Sequence, residues 1–431
     1  GCILLTRGWM ETMQTQTLAL RYGKDAVLVQ VPRAAILGTY KLEASEREFD
    51  ADAIVRQALA HPIASPKLSE LARPGQQVVI LCSDITRPCP TGTLLPYVLQ
   101  ELTDAGIPDE DIRVVIALGT HRRMSDSEIL TNFGAEAVRR FRILQHDPND
   151  VVRLGMTSRA TPVEFFRPVV EADLRLALGN VEFHYFAGYS GGAKAIMPGC
   201  ASIQAITHNH AMMVQPEAST GRLEGNPVRE DLEEAADFLP IDFLLNVVMD
   251  SDHRLIQAAA GDMHAAHRSL CSFLAKRSRV SVPRKADIVL ASAGGFPKDI
   301  NLYQAHKSLE IAAGFVREGG IIILAAACEE GFGHPTFEAW FREAGNGSAI
   351  LQRLQREFVL GGHKAAAIAS ILESARVLLV SEMPETDVRM TGMVPVTSCQ
   401  EALDHALDAL GSDPSIIFLP TASAILPIDE S

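Results

Sequence analysis

Val78-Val79-Ile80-Leu81-Cys82-Ser83-Asp84-Ile85-Thr86-Arg87-Pro88 joins a short apolar run directly to a polar, chemically capable one. The run Val78–Leu81 does not alternate apolar with polar residues, as expected of a strand buried on both faces in a parallel sheet. Two further runs, Val114-Val115-Ile116-Ala117-Leu118 and Leu174-Arg175-Leu176-Ala177-Leu178, are separated from it by segments with helical spacing, which makes the pattern α/β. Polar residues follow each: Gly119-Thr120-His121-Arg122 after the second, Gly179-Asn180 and then His184 after the third. Ligands of open α/β sheets bind outside the carboxyl ends of the strands, so the three segments are expected to converge on one crevice. For any one segment alone, an ordinary solvated loop is the alternative.

Upstream, alternating apolar residues from Thr17 to Val31, interrupted by Tyr22-Gly23-Lys24-Asp25, predict a β-hairpin, and the polar 41–50 stretch leads into helical periodicity. Downstream, after Pro283-Arg284-Lys285, a second set of runs starts at Ile288-Val289-Leu290-Ala291. It continues with Ile321-Ile322-Ile323-Leu324 and Val377-Leu378-Leu379-Val380 and ends near Ile416-Ile417-Phe418-Leu419. A chain of 431 residues exceeds what one core sustains. The expected fold is therefore two α/β domains with largely parallel sheets and the active site in the cleft between them. Residues 1–16 read as a tag, a misplaced start or a loose arm, 17–273 as the N-terminal domain, 274–286 as a linker and 287–431 as the C-terminal α/β domain. No low-complexity tract or solenoid-length repeat interrupts this scheme.

Composition narrows the function. The net charge is −14, and no block of Lys and Arg offers a surface that tracks phosphates, which argues against nucleic acid. No apolar run approaches the ~20 residues that span a bilayer, so no membrane insertion is expected. The seven cysteines are scattered, odd in number and never spaced CxxC, so neither a disulfide framework nor a thiolate zinc site is indicated, and a cytoplasmic location is expected.

The densest segment is His184-Tyr185-Phe186-Ala187-Gly188-Tyr189-Ser190-Gly191-Gly192-Ala193-Lys194. Its glycines permit positive φ and close backbone approach, so consecutive N–H groups around Gly188, Ser190, Gly191 and Gly192 can surround an anion, with Lys194 beside them. The spacing is not that of a P-loop, and a purely structural turn is the competing reading. His208 and His210 follow; two positions apart on a helix, they face roughly 200° apart, so one metal reaches only one of them.

These features, taken together and in order, resemble the nickel-dependent lactate racemase family. His184 precedes an Ala-Gly-Tyr-Ser-Gly-Gly turn, Lys194 lies ten residues after it, and His210 lies sixteen after Lys194. The Ser-Asp-x-Thr-Arg-Pro and Gly-Thr-His-Arg segments and the pair Gln304-x-x-Lys307 match as well, from about residue 17 onward.

The resemblance implies a racemase or epimerase of small 2-hydroxy acids that uses nickel held by a pyridinium-3-thioamide-5-thiocarboxylic acid mononucleotide, the nickel-pincer nucleotide. It assigns the N-terminal domain to cofactor binding, Lys194 to a thioamide tether and His210 to the metal. It makes His121 and His184 the acid–base pair that serves the two enantiomers as hydride leaves and returns to C2 through a 2-oxo acid. Arg87 and Lys307 then hold the substrate carboxylate, Asp84 orients Arg87 or another group, and Gln304 and Tyr303 contact substrate or cofactor from the second domain. Maturation enzymes in the host are implied as partners; the substrate range includes lactate, other short or aromatic 2-hydroxy acids, malate and sugar acids. Three alternatives remain at this point. One is a zinc hydrolase using His121, His184, His210 and Asp84; another is a non-catalytic two-lobed protein that closes on carboxylates. The third, a pyridine-nucleotide dehydrogenase, lacks a GxGxxG after the first strand.

Overall fold

The structure is a computed structural model that describes residues 14–42, 50–282, 284–411 and 413–428, so all but the last three residues of the expected N-terminal arm lie outside it. Contacts divide the chain into two compact units, one of residues 43–277 and one that combines residues up to 42 with those from 278 onward.

The expected hairpin is present as β1 (Thr15–Tyr22) and β2 (Asp25–Pro32), paired antiparallel, and β3 (Ile36–Thr39) follows it. Its assignment to the first domain is corrected. β3 adds in parallel to a strand near the end of the chain, and Leu18, Leu20, Val29 and Val31 share a core with Ile288, Leu290, Ile321 and Ile323. The hairpin has only one apolar face, and Ile288, Leu290, Ile321 and Ile323, which cover it, lie more than 250 positions away.

The unit of residues 43–277 contains β4 (Val78–Ser83), β5 (Ile112–Ala117), β6 (Arg142–Gln145), β7 (Val151–Met156), β8 (Pro162–Phe166) and β9 (Leu174–Asn180). It also holds the short β10 (Phe183–His184) and β11 (Gly188–Tyr189), then β12 (Phe243–Met249) and β13 (Leu255–Gly261). The main sheet runs β13-β12-β9-β4-β5-β6 and is parallel except for β13. β4 is central, and Val78 through Cys82 are all buried, which is why its sequence lacks alternation. The helix Thr91–Asp104 covers it, burying Leu94, Leu95, Val98, Leu99 and Leu102 in the same core as Ile80 and Val114. From β4 the chain builds outward through β5 and β6, and from β9 it builds the other way through β12 and β13. The order therefore reverses between β4 and β9, the position at which doubly wound sheets open a ligand crevice.

The second unit adds β14 (Arg279–Ser281), β15 (Ala286–Ser292), β16 (Val316–Ala325), β17 (Ala375–Val380), β18 (Val394–Val396), β19 (Ile416–Leu419) and β20 (Leu426–Ile428). Its sheet, β18-β17-β16-β15-β19-β3, is parallel throughout. Most described residues of the expected linker at 274–286 belong to regular elements. The helix Met263–Ser278 runs into it, β14 pairs with β20, and the division between units falls at 277–278.

Candidate active site

The turn after β4 places Asp84, buried to 3% exposure, against His121 from the turn after β5; Nδ1 of His121 lies 2.5 Å from Asp84 Oδ2. Thr86 donates to Asp84 Oδ1 through its backbone N–H at 2.8 Å and its hydroxyl at 2.5 Å, and Arg87 Nη1 donates to that hydroxyl oxygen at 3.0 Å. Burial alone would raise the Asp84 carboxyl. The charge and hydrogen bond of His121, then Arg87 and Thr86, outweigh it and hold the carboxyl well below the usual carboxylate range. An ionised carboxylate only accepts, so His121 Nδ1 donates, and in the neutral ring Nε2 carries the lone pair. Asp84 thus orients His121 directly and Arg87 through Thr86.

The turn after β9 begins the glycine-rich segment, where β10 and β11 pair as a minimal hairpin. Ala187 N–H donates to His184 Nδ1 at 3.2 Å, and because a backbone N–H can only donate, a neutral His184 carries its proton on Nε2. In their neutral forms the two rings therefore have opposite occupancy of Nε2.

The expected ring of N–H groups around an anion is not what this segment forms at Ser190 and Gly192. Ser190 N–H donates to Glu182 O and Gly192 N–H to Asn246 Oδ1, both at 2.8 Å, while the Ser190 hydroxyl donates to Asn180 O at 2.9 Å. The glycines answer to packing instead. A Cβ on Gly188, at φ +78°, would stand 2.0 Å from Arg222 O, and one on Gly192, at φ +60°, would stand 2.7 Å from the His267 ring. Beneath the segment the fully buried Arg229 donates to Ala187 O at 3.0 Å and to Tyr189 O.

One side chain gathers the candidate cofactor residues. The Phe186 ring meets His184 edge-on at 4.5 Å and His210 at 4.8 Å, and the Lys194 ammonium lies 5.8 Å from its centroid. His210 belongs to the helix Ile203–Ala211, capped by Ser202 and burying Ala205, Ile206, Asn209 and His210 on one stripe. His208 faces away, exposed, with Nε2 3.0 Å from Arg159 O, so of the two only His210 lies on the buried stripe. The loops are tied together as well, since Gly119 N–H donates to Gly199 O at 3.0 Å.

The lactate racemase N-terminal domain family matches residues 22–221 of this chain, and the lactate racemase C-terminal domain family matches residues 282–426. The chain belongs to the lactate racemase family. It is 33% identical over 426 residues to the lactate racemase of Thermoanaerobacterium thermosaccharolyticum, covering 95% of this chain and 98% of that one. It is 32% identical over 425 residues to the lactate racemase of Lactiplantibacillus plantarum, covering 94% and 98%. The structure of the Thermoanaerobacterium lactate racemase apoprotein superposes with a TM-score of 0.85 at 32% identity, over 96% of this chain and all of that one. A Thermotoga maritima protein shares the fold at a TM-score of 0.67 and 19% identity, over 84% and 96%. This lactate racemase family member is an isomerase of the racemase type.

The remaining expected residues lie on the helix Leu302–Ala313 of the other unit. Lys307 Nζ donates to Gln304 Oε1 at 3.0 Å. Tyr303 packs within its own unit, stacked on His334 at 4.7 Å with Lys364 Nζ 3.3 Å from its centroid. Among the described residues no three His, Cys, Asp or Glu side chains come together as a metal-holding group, so the zinc-hydrolase reading lacks its ligand set. One imidazole and a lysine about a common ring instead fit a metal whose other donors come from a cofactor. Phe186, Thr86, Asn209 and Arg229 were not singled out from sequence. Phe186 and Thr86 sit inside the quoted motifs and Asn209 between the two competing histidines, whereas nothing local marks Arg229.

Proposed function

We propose that this racemase inverts C2 of a small 2-hydroxy acid, lactate or a near analogue, with the C2 hydrogen moving as hydride through a planar 2-oxo acid. The observation that carries the reading is that the turn after β5 and the segment after β9 bring His121, backed by Asp84, and His184 to the carboxyl ends of strands of one sheet. Racemisation needs a base for the hydroxyl proton of one enantiomer and an acid to return a proton to the other. His121, with its lone pair on Nε2 and Asp84 behind it, suits removal, and Asp84 stabilises the imidazolium that results. His184 returns a proton as an imidazolium and is left neutral, and the roles exchange when the opposite enantiomer enters. Arg87 holds the substrate carboxylate, its position set by Thr86 and Asp84, and Lys307 and Gln304 are assigned to the same substrate by the family resemblance.

The nickel-pincer nucleotide, when bound, supplies the hydride acceptor that a proton-transferring pair of histidines does not. His210 is the residue assigned to the nickel and Lys194 to the covalent tether.

The reading is tested with a 2-hydroxy acid deuterated at C2. Retention of most of the deuterium in the product enantiomer in ordinary water, with a trace of 2-oxo acid on acid quenching, is the expected result. Complete washout at early conversion means proton abstraction from carbon and removes the hydride step, whatever the racemase activity.

A further inference from the structure

The residue between the two competing histidines is bonded in a way the racemase reading leaves unused. Asn209 is fully buried, and its amide nitrogen donates to Val228 O at 3.1 Å and to Asp231 Oδ2 at 2.8 Å. Asp231 is itself fully buried and is held by two threonines, the Thr157 hydroxyl donating to Oδ1 at 2.5 Å and the Thr161 hydroxyl to Oδ2 at 2.7 Å. A carbonyl and a carboxylate both require donors, so the Asn209 amide has one orientation: nitrogen toward Val228 and Asp231, oxygen toward its neighbour. That oxygen lies 3.0 Å from His210 Nδ1. An amide oxygen only accepts, so Nδ1 must carry the proton.

We propose that Asn209 is a positioning residue for His210: held by Asp231, Thr157 and Thr161, it fixes the Nδ1–H tautomer and so keeps the Nε2 lone pair available to a metal before any metal arrives. The proposal rests on His210 being the nickel ligand. Its chemistry is that of the outer partners of metal-bound imidazoles, which set tautomer and ring orientation and raise ligand basicity. The chain here is longer than usual, running from two hydroxyls through a carboxylate and an amide to the ring. A bare carboxylate at position 209 would also accept from Nδ1, but beside Asp231 it would be a second buried anion, which explains an amide at this place.

The test reads the tautomer directly. Long-range proton–nitrogen NMR on histidine-labelled apoprotein, with the His210 signal assigned by its loss in His210→Gln, is expected to show Nδ1–H in the unsubstituted chain. Asn209→Leu should convert it to a mixture rich in Nε2–H. The exchange pair Asn209→Asp with Asp231→Asn keeps an acceptor facing the ring and should restore Nδ1–H. In cofactor-loaded protein, Asn209→Leu should weaken nickel retention against a chelator by about 10–100-fold, the range usual for outer partners of metal ligands. An Nε2–H signal in the unsubstituted chain overturns the proposal, and that measurement needs no variant to fold. An unchanged Nδ1–H signal in Asn209→Leu overturns it too. Full nickel retention by His210→Ala would instead remove the ligand assignment on which the proposal rests, an outcome separate from either tautomer result.

Discussion

The turn holding Asp84, Thr86 and His121 and the glycine-rich segment 183–194 stand at neighbouring strand ends, yet they are held by different forces. The first is organised by one ionised carboxylate that collects His121, Thr86 and, through Thr86, Arg87. The second is organised by shape and by main-chain partners: glycines where a Cβ has no room, Arg229 under two carbonyls, Asn246 on one N–H. A charge-organised turn can lose its chemistry while keeping its fold, whereas a packing-organised one is expected to lose both together.

The largest expected effect tests the charge side. Asp84→Asn keeps the shape but removes the carboxylate that fixes His121, and the substituted amide can present its NH2 group to Nδ1. Turnover should fall by on the order of 10²–10⁴-fold, the range for losing the partner that fixes a catalytic imidazole, with thermal stability changed far less. A Tm drop matching the loss of rate would mean that the turn is held by packing after all.

Arg229→Met inverts this. The guanidinium is fully buried, so removing it leaves Ala187 O and Tyr189 O without their donor. Glu233 keeps Arg268, at 2.7 Å, so the loss is not that of an unpaired charge. The cost is about 2–6 kcal/mol, at roughly 1–3 for each stranded acceptor, or a fall in Tm on the order of 10 °C. Circular dichroism melts would check it, and a variant melting with the parent would place the segment's stability elsewhere. Smaller again, Gly192→Ala pushes a methyl into the His267 ring at positive φ and should cost about 1–3 kcal/mol while leaving the Asp84–His121 pair intact. Urea unfolding reads it; an unchanged midpoint would show that His267 gives way freely.

The same contrast explains what the sequence disclosed. Buried parallel strands announce themselves as unbroken apolar runs, so β4, β5 and β9 and four strands of the second sheet are legible, as are the polar turns that follow them. β12 was not marked: Asn246 interrupts its apolar run, and that asparagine is there to take the Gly192 N–H. The hairpin's partner sheet was not legible, because apolar alternation shows that a face must be covered and not by what. The glycine-rich motif suggested a ring of N–H groups for an anion, but those of Ser190 and Gly192 are taken by atoms of residues 182 and 246. Charged and titratable site residues were visible as types; Phe186 and Asn209, which gather and orient them, carry no such label.

The last and smallest effect separates the two regions by pH. His267, buried beneath the segment with Nε2 2.8 Å from Ser190 O, is pushed well below the ordinary histidine range, first by burial and then by the Arg229 charge. Asp84 is likewise held below its ordinary value. Both shifts are depressions, so in both cases the unfolded chain binds a proton that the folded chain refuses, and stability falls on acidification. The onsets differ: the His267 contribution is complete above about pH 6.5 and is lost below it, whereas the Asp84 contribution survives to about pH 4 and is lost below that. His146, His306 and His363 are depressed by burial in the same sense, so the parent slope near pH 6 is shared among several groups. His267→Gln retains a side-chain N–H that can reach Ser190 O but cannot titrate. It should reduce the slope of unfolding free energy between roughly pH 5 and 6.5 by up to about 1.4 kcal/mol per pH unit, one proton's worth. Asp84→Asn should flatten the curve below about pH 4, where the parent carboxylate takes up its proton. Urea midpoints at a series of pH values distinguish them. If His267→Gln kept the parent slope, the group titrating near pH 6 would lie outside the glycine-rich segment, and the division between the two regions would fail.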